Sequence, residues 1–376
     1  MLLSIIIPAR NEFPMITGTI YSIWHCLEAD GFDMRDVEII IINNCSNDEK
    51  SPQKGTGGTT DYLMPRGGYN NRCIRVIYDP IAGNHSARNK GVEVARGEYI
   101  YISDAHVAYR PGFFKSILKA VDESGGLVHG ALQTMGAYPP TESSCGYGYT
   151  IKLGEEIKGT WNNYLLGDGK QWFYVPAQGH WSVACKHQQF LDFGGYPKIH
   201  RCYGGGEFYL DMKWWMFGST VVVDPNAVGY HLAAGRGYSY NHDDYIHNVA
   251  NIAQALGMDD WSERHYINCL RRGNKNVLDR IWAEAKKETV EDRTFIEKHR
   301  KKTFNELLID RPWERLNKDR VGKGLANLLI FHDTIMPLID ASPQAKKAYA
   351  ESKHQVGLDI FINTHLKEFV YKAIKK

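Results

Sequence analysis

The chain has 376 residues, of which 43% are hydrophobic and 23% are charged, so it can bury a core and is not an intrinsically disordered protein. Its 45 basic and 43 acidic residues give a net charge of +2, which excludes a uniformly basic nucleic-acid coat and an acidic disordered tail. Its seven cysteines are scattered and contain no CxxC pair, which argues against a disulfide framework or a cysteine zinc site and favours a reducing cytoplasm.

Strand and helix patterns alternate along the first 110 residues. Residues 3–8 (LSIIIP) form an apolar run that is too short to span a bilayer and lacks the flanks of a signal peptide, so it predicts a buried strand. Amphipathic or helical patterns follow at 15–29 and 86–95, with a predicted loop at 50–71. Further strands are predicted at 37–42, 74–78 and 99–102. The alternation predicts βαβ units and a mostly parallel sheet.

Polar clusters follow three of these strands, at residues 10–12, 43–48 and 103–106. Because ligands of parallel sheets bind at the carboxyl ends of the strands, one pocket can draw on all three clusters. No GxGxxG follows the first strand and no GxxxxGK[ST] occurs in the chain, which argues against a dinucleotide dehydrogenase and a P-loop NTPase.

The third cluster contains a carboxylate and an imidazole two residues apart, Asp104 and His106. In an extended segment these side chains lie on the same side and can bind one divalent cation, manganese in preference to calcium, with magnesium as the alternative. A cation at this place can neutralise a diphosphate leaving group. On its own the pattern also fits a capped turn.

Four motifs, in the same order over residues 3–236, resemble a known family. Residues 8–12 (PARNE) resemble the first-strand motif of GT-A fold glycosyltransferases that use a nucleotide-sugar. Residues 83–106 resemble the segment that ends in Asp-x-His in polypeptide N-acetylgalactosaminyltransferases, and residues 204–207 (GGGE), with Asp211 and Trp214, resemble their Gly-Gly-Glu segment. Residues 221–231 resemble the strand leading to their Val-Gly-His. The resemblance implies an α/β fold of the GT-A type, Rossmann-like, with a mostly parallel central sheet flanked by helices.

The resemblance also implies a metal site and a donor site. The metal ligands would be Asp104, His106 and His231; the last has one extra residue before it, and its alternative is a loop histidine. The donor-binding residues would be Pro8, Arg10, Glu12, Asn44, Arg88, Asp104, Gly205, Gly206 and Arg236. Among them Pro8, Arg10 and Glu12 would line the nucleobase pocket. Asn44 stands where the wider fold usually has an aspartate that reads uracil, so the base stays open. For the other polar residues the alternatives are a turn, a helix cap or a surface charge.

Catalysis is assigned to carboxylates after the glycine-rich turn, Glu207 and Asp211. In inverting GT-A enzymes a carboxylate near here is the general base, whereas in the retaining family that the chain resembles the matching glutamate binds the donor sugar. The alternative for Glu207 is a helix-start carboxylate favoured by the dipole. His180 and Trp181 fall where the family has a small-residue segment facing the sugar and the acceptor.

We expect a GT-A domain at residues 1–240 and a basic, mainly helical region at 241–376, with helical patterns at 277–287 and 295–308. Residues 261–376 hold 24 basic and 16 acidic residues, which indicates either a solvated helical surface or a face for a polyanion such as nucleic acid. The resembled family has a membrane anchor and a lectin domain, and neither is visible here, so we expect a soluble protein.

The leading hypothesis is a metal-dependent glycosyltransferase that moves a sugar from a nucleoside diphosphate sugar, by resemblance a UDP-sugar, to an acceptor hydroxyl with retention. The expected acceptor is a hydroxymethylated base in DNA, as in bacteriophage DNA modification, flipped out of the duplex. The alternatives are a protein Ser/Thr or a surface glycan as acceptor, a non-catalytic nucleotide-sugar or nucleic-acid binding protein, and a metal-dependent nuclease or hydrolase. The oligomeric state is left open.

Overall fold

A mixed sheet of ten strands forms the centre of the protein. The computed structural model describes residues 1–47, 74–135, 145–146, 148–153, 157–161, 171–232, 238–271 and 273–321. The strands are β1 (Leu3–Ala9), β2 (Val37–Asn44), β3 (Ile74–Asp79), β4 (Tyr99–Ser103), β5 (Val107–Tyr109), β6 (Leu127–Met135), β7 (Cys145–Gly146), β8 (Tyr149–Leu153), β9 (Ile157–Trp161), β10 (Phe173–Tyr174), β11 (Ser182–Lys186) and β12 (Val221–Leu232). The predicted loop at 50–71 lies outside the described residues.

The sheet order is β10-β12-β6-β11-β4-β1-β2-β3, with β5 on β12 and β7 on β6, while β8 and β9 form a separate hairpin. The four strands predicted from the first 110 residues, β1 to β4, are all parallel, which confirms the predicted α/β sheet. β11 is antiparallel to β4 and β6, and β12 returns parallel to β6. The carboxyl ends of β1, β2 and β4 therefore lie side by side.

Helices cover the two faces of the sheet. The helices are α1 (Met15–Ala29), α2 (Asn84–Glu93), α3 (Phe113–Ser124), α4 (His187–Asp192), α5 (Gly206–Met216), α6 (His242–Ala255), α7 (Asp259–Leu270), α8 (Lys275–Glu288), α9 (Val290–His299), α10 (Phe304–Asp310) and α11 (Pro312–Val321). Ile5 and Ile39 join the core formed with α1 and α3. On the opposite face Gly91 of α2 approaches Ile6 so closely that a Cβ would lie 2.3 Å from Ile6 Cγ2. Burial on both faces explains why these strands are continuous apolar runs.

The helical pattern predicted at 295–308 is divided between α9 and α10. Thr303 begins α10 with a capping box, in which its hydroxyl accepts from the Glu306 backbone N–H and the Glu306 carboxylate accepts from the Thr303 backbone N–H. α9 ends at His299, where Arg300 turns to an extended conformation, and the cap starts a new helix, so the continuous helix that apolar periodicity predicted does not form.

Two compact units divide the chain, Met1–Trp313 and Glu314–Lys376, and only residues 314–321 of the second are described. The boundary predicted at residue 240 falls inside the first unit, and as a division of function it stays a prediction. None of the helices in the described part of the chain combines the length and the apolar character needed to cross a bilayer.

Candidate active site

A cavity of about 410 Å³ opens at the carboxyl ends of β1, β2 and β4. Most of the residues predicted for the site line it: Pro8, Arg10, Glu12, Asn44, Arg88, Asp104, His106, His180, Trp181, Glu207 and His231. Three others, Gly205, Gly206 and Asp211, do not line it. Arg236 lies outside the described residues.

Strand register brings together the residues predicted to bind the metal. β5 pairs with β12 so that His231 lies opposite Val107, next to His106, and the Leu232 backbone N–H donates to the His106 carbonyl over 3.1 Å. The ligand atoms of Asp104, His106 and His231 lie within 4.8 Å of one another. The long strand β12 therefore carries a histidine across 127 residues of sequence to the Asp-x-His segment.

This donor set fits a divalent cation. Asp104 Oδ2 lies 3.3 Å from His231 Nε2, and His106 Nδ1 lies 3.0 Å from Glu12 Oε2. A carboxylate that holds the second nitrogen of a histidine is the usual support of a metal ligand. Glu12 was predicted for the base pocket, but the structure places its carboxylate against His106 of the predicted metal site.

Arg88 is a buried cation that joins this cluster to the floor of the cavity. Its Nη2 atom donates to Asp104 Oδ1 over 3.0 Å and to the His180 carbonyl over 2.8 Å. Burial alone would raise the pKa of Asp104, but the hydrogen bond from His231 and the charge of Arg88 lower it well below its usual value. The carboxyl group is therefore ionised at neutral pH and can act as a ligand.

The opposite side of the cavity presents a planar stack. The Arg10 guanidinium lies 4.7 Å from the centre of the Tyr238 ring, and its Nη1 atom lies 3.3 Å from Cys202 Sγ. The Asn44 amide is engaged within the protein, since Nδ2 donates to Asp79 and Ile81 and Oδ1 accepts from the Gly83 backbone N–H. Asn44 thus orders the loop before α2, and its base-reading role stays a prediction.

Glu207 reaches the cavity because of the glycine turn before it. Gly205 has φ +80°, a left-handed conformation that glycine adopts without steric cost. A Cβ on Gly206 would lie 2.2 Å from the His85 ring, so no side chain fits there. The two glycines thus allow the turn before α5 and its close packing. Glu207 occupies the first turn of the helix, where the dipole favours a carboxylate.

The position of Asp211 differs from the one that its predicted catalytic role requires. Its carboxylate has no exposed surface, with Oδ1 3.1 Å from His129 Nε2 and 3.0 Å from His180 Nε2. Burial raises its pKa, yet the two histidines lower it to about 2, so it is ionised. A group without access to the cavity cannot touch a substrate, so the catalytic role predicted for Asp211 does not fit its position.

Several lining residues were missed by sequence reasoning: Met15, Asn84, Leu132, Thr134, Tyr149, Cys202, Tyr203 and Tyr238. Asn84 lies inside the motif at 83–106, and Tyr203 directly precedes the glycine turn, so proximity to a motif could have found them. Tyr149 and Tyr238 belong to no motif, and only the fold brings them to the cavity.

Comparison with known proteins agrees with the fold and the motifs. Residues 4–134 match the family model of glycosyl transferase family 2. No protein of curated function matches the chain. Among solved structures, GalNAc-T7 with UDP, GalNAc and Mn²⁺ has a TM-score of 0.62 at 16% identity, covering 85% of this chain and 58% of that one. This chain therefore spans less than two thirds of the length of that protein.

Two further structures are similar at lower scores. TarS of S. aureus with UDP-GlcNAc has a TM-score of 0.46 at 13% identity, covering 79% of this chain and 91% of that one. The mannosyltransferase PcManGT of Pyrobaculum calidifontis with GDP-Man and Mn²⁺ has a TM-score of 0.44 at 15% identity, covering 92% and 82%. The likeness to GalNAc-T7 confirms the predicted α/β fold of the GT-A type, and residues 4–134 resemble glycosyl transferase family 2.

Proposed function

We propose that the protein transfers a sugar from a nucleoside diphosphate sugar, a UDP-sugar by resemblance, to an acceptor hydroxyl with the help of a divalent metal, Mn²⁺ or Mg²⁺. The observation that carries this proposal is the cluster of Asp104, His106 and His231, which faces the cavity at the ends of the parallel strands. The GalNAc-T7 structure, which contains UDP, GalNAc and Mn²⁺, supports it.

The proposed role of each residue follows from its position in the cavity. Asp104, His106 and His231 would hold the metal, which would supply positive charge for a diphosphate leaving group. Arg88 keeps Asp104 ionised and adds a fixed positive charge at the cavity floor. The Arg10–Tyr238 stack offers a flat surface to a base.

Glu207 is the carboxylate of α5 that faces the cavity. With retention, as the resemblance implies, it binds the donor sugar. In an inverting reaction it would take the acceptor proton.

For the acceptor we retain the hydroxymethylated DNA base as the proposal, with protein Ser/Thr or a surface glycan as the alternative. The described helices give it little electrostatic support, since residues 241–321 hold 16 basic and 15 acidic residues. Several of these charges are paired, as in Arg293 with Asp259 and Arg201 with Glu284. A phosphate-binding face would need an excess of unpaired cations.

The test is donor hydrolysis with manganese across UDP-, GDP- and dTDP-sugars, with and without hydroxymethylated DNA. Turnover of one donor supports the enzyme, and stimulation by modified but not unmodified DNA supports the acceptor. If DNA does not change the turnover, the acceptor is instead proposed to be a protein or a glycan. No turnover of any donor, in a protein whose fold is verified by circular dichroism, would contradict the proposed function and favour a binding protein.

A further inference from the structure

Beneath the cavity lies a second cluster of one aspartate and two histidines, which we call the buried centre: His129, His180 and Asp211. Their side chains have no exposed surface, and their ligand atoms lie within 4.8 Å of one another. His129 belongs to β6, Asp211 belongs to α5, and His180 precedes β11. His180 lines the cavity, but its side chain is fully buried and its ring nitrogens face Tyr196 and Asp211, so the proposed transfer reaction makes no use of these three side chains.

Hydrogen bonds outside the buried centre determine which histidine nitrogen faces inward. His129 Nδ1 lies 2.9 Å from the Ser182 carbonyl oxygen, which can only accept, so this nitrogen carries a proton. His180 Nδ1 lies 2.8 Å from the Tyr196 hydroxyl. Both Nε2 atoms converge on the same carboxylate oxygen, Asp211 Oδ1.

This arrangement requires a positive charge. A neutral His129 presents a bare Nε2 to Asp211 Oδ1, so two acceptors face each other 3.1 Å apart. Unpaired acceptors in a buried site are costly. Either a second proton on His129 or a metal ion between the ligands removes this conflict.

Gln178 favours the metal ion. Its backbone N–H donates to Asp211 Oδ2 over 2.7 Å and its Nε2 donates to the Gly130 carbonyl over 2.6 Å. Its Oε1 atom is buried and has no hydrogen-bond partner among the residues that the structure describes. A second proton on His129 leaves this oxygen unsatisfied, at a cost of about 1–3 kcal/mol. A cation bound by Asp211, whose Oδ2 accepts from the Gln178 backbone N–H, would give Oε1 a partner.

We infer that the buried centre binds one Zn²⁺ through His129 Nε2, His180 Nε2 and Asp211 Oδ1, with Gln178 Oε1 as the candidate fourth ligand. Zinc binds histidine nitrogen and carboxylate oxygen, a closed set of four ligands is the geometry of structural zinc, and the Ser182 carbonyl supports His129 as metal-bound histidines require. Since the ligands are inaccessible, the ion enters as the chain folds. It ties β6 and α5 to the segment whose His180 carbonyl holds Arg88.

The experiment measures bound zinc in the full chain, expressed with zinc and dialysed against EDTA. The double variant Asp104→Ala/His231→Ala removes the cavity cluster and serves as the matched control. We expect one zinc per chain in the wild type and in the double variant, and loss of zinc in His129→Ala. A wild type without zinc above background overturns the inference. The second proton on His129 then remains as the source of the positive charge. Zinc that is lost from the double variant but kept by His129→Ala also overturns it.

A second measurement does not depend on His129→Ala folding. X-ray absorption at the zinc edge of the double variant should show only nitrogen and oxygen ligands at about 2.0–2.1 Å, with the scattering of two imidazoles. Sulfur ligands, or no imidazole scattering, would place the zinc elsewhere and contradict the inference. Because neither readout involves sugar transfer, failure here leaves the proposed function intact, and an inactive protein that holds zinc leaves this inference intact.

Discussion

The protein contains two clusters of the same composition, one aspartate and two histidines, in opposite surroundings. In the cavity cluster Asp104, His106 and His231 are 26%, 23% and 24% exposed, whereas the side chains of the buried centre have no exposed surface. An open cluster can exchange ligands with a substrate, but a closed cluster can only keep what it bound during folding. Access, rather than residue type, therefore separates a reactive site from a stabilising one.

Of all the variants, we expect Asp104→Asn in the cavity cluster to have the largest effect. The amide is a poor metal ligand and removes the charge that pairs with Arg88, so donor hydrolysis should fall by about 10²–10³-fold, a loss typical of removing one electrostatic contact at a reacting group. Hydrolysis with manganese measures this loss. The thermal midpoint should fall as well, because the buried Arg88 loses the charge that pairs with it, and the exposed Asp279→Asn on α8 is the matched control. Retained turnover would remove Asp104 from the metal site.

Asp211→Ala tests how much the buried centre contributes to stability. Removing one partner of a buried charged network leaves the others uncompensated, so the free energy of unfolding should fall by about 3–5 kcal/mol. Urea unfolding followed by circular dichroism measures this change. A loss below about 1 kcal/mol, the value of an exposed ion pair, would show that the centre contributes no more than a surface contact.

Glu12→Gln tests how the cavity cluster is supported. Glu12 accepts from His106 Nδ1, and an amide oxygen accepts less strongly, so the manganese concentration for half-maximal hydrolysis should rise by about 10-fold. A manganese titration of hydrolysis measures this shift. An unchanged manganese requirement would assign Glu12 to the base pocket, as the sequence motif predicted.

The smallest effect per pH unit concerns a histidine that faces a backbone carbonyl instead of a carboxylate. His200 is buried against the Gly204 carbonyl, and burial lowers its pKa to about 3. Between its usual pKa near 6.5 and about 3, the unfolded chain binds a proton that the folded chain does not, so stability falls as the pH falls through this window. The slope is up to about 1.4 kcal/mol per pH unit for one group.

His200→Gln should reduce this slope, as measured by urea unfolding at several pH values. Part of the slope should remain, because burial also lowers the pKa of His85, whose ring packs edge-on against His200. Equal slopes in the variant and the wild type would show that His200 is protonated in the fold.

Local patterns predicted much of the fold. The strands at 3–8, 37–42 and 99–102 and the helix at 15–29 were visible because apolar runs and helical periodicity are properties of neighbouring residues. The division of the helix predicted at 295–308 was missed, since apolar periodicity continues across the Thr303 cap. The cavity-lining tyrosines Tyr149 and Tyr238 were missed because no motif marks them.

The sequence by itself predicted the α/β fold and the edge of the sheet at which the cavity opens, because the polar clusters follow their strands directly and parallel pairing places them at one edge. It also named the residues of the cavity cluster, which the register of β5 and β12 brings together. Only the tertiary structure decided that Asp104 meets solvent and Asp211 does not. Burial of Asp211 depends on His129, 82 residues earlier, and on the segment before β11, and no local pattern encodes that packing.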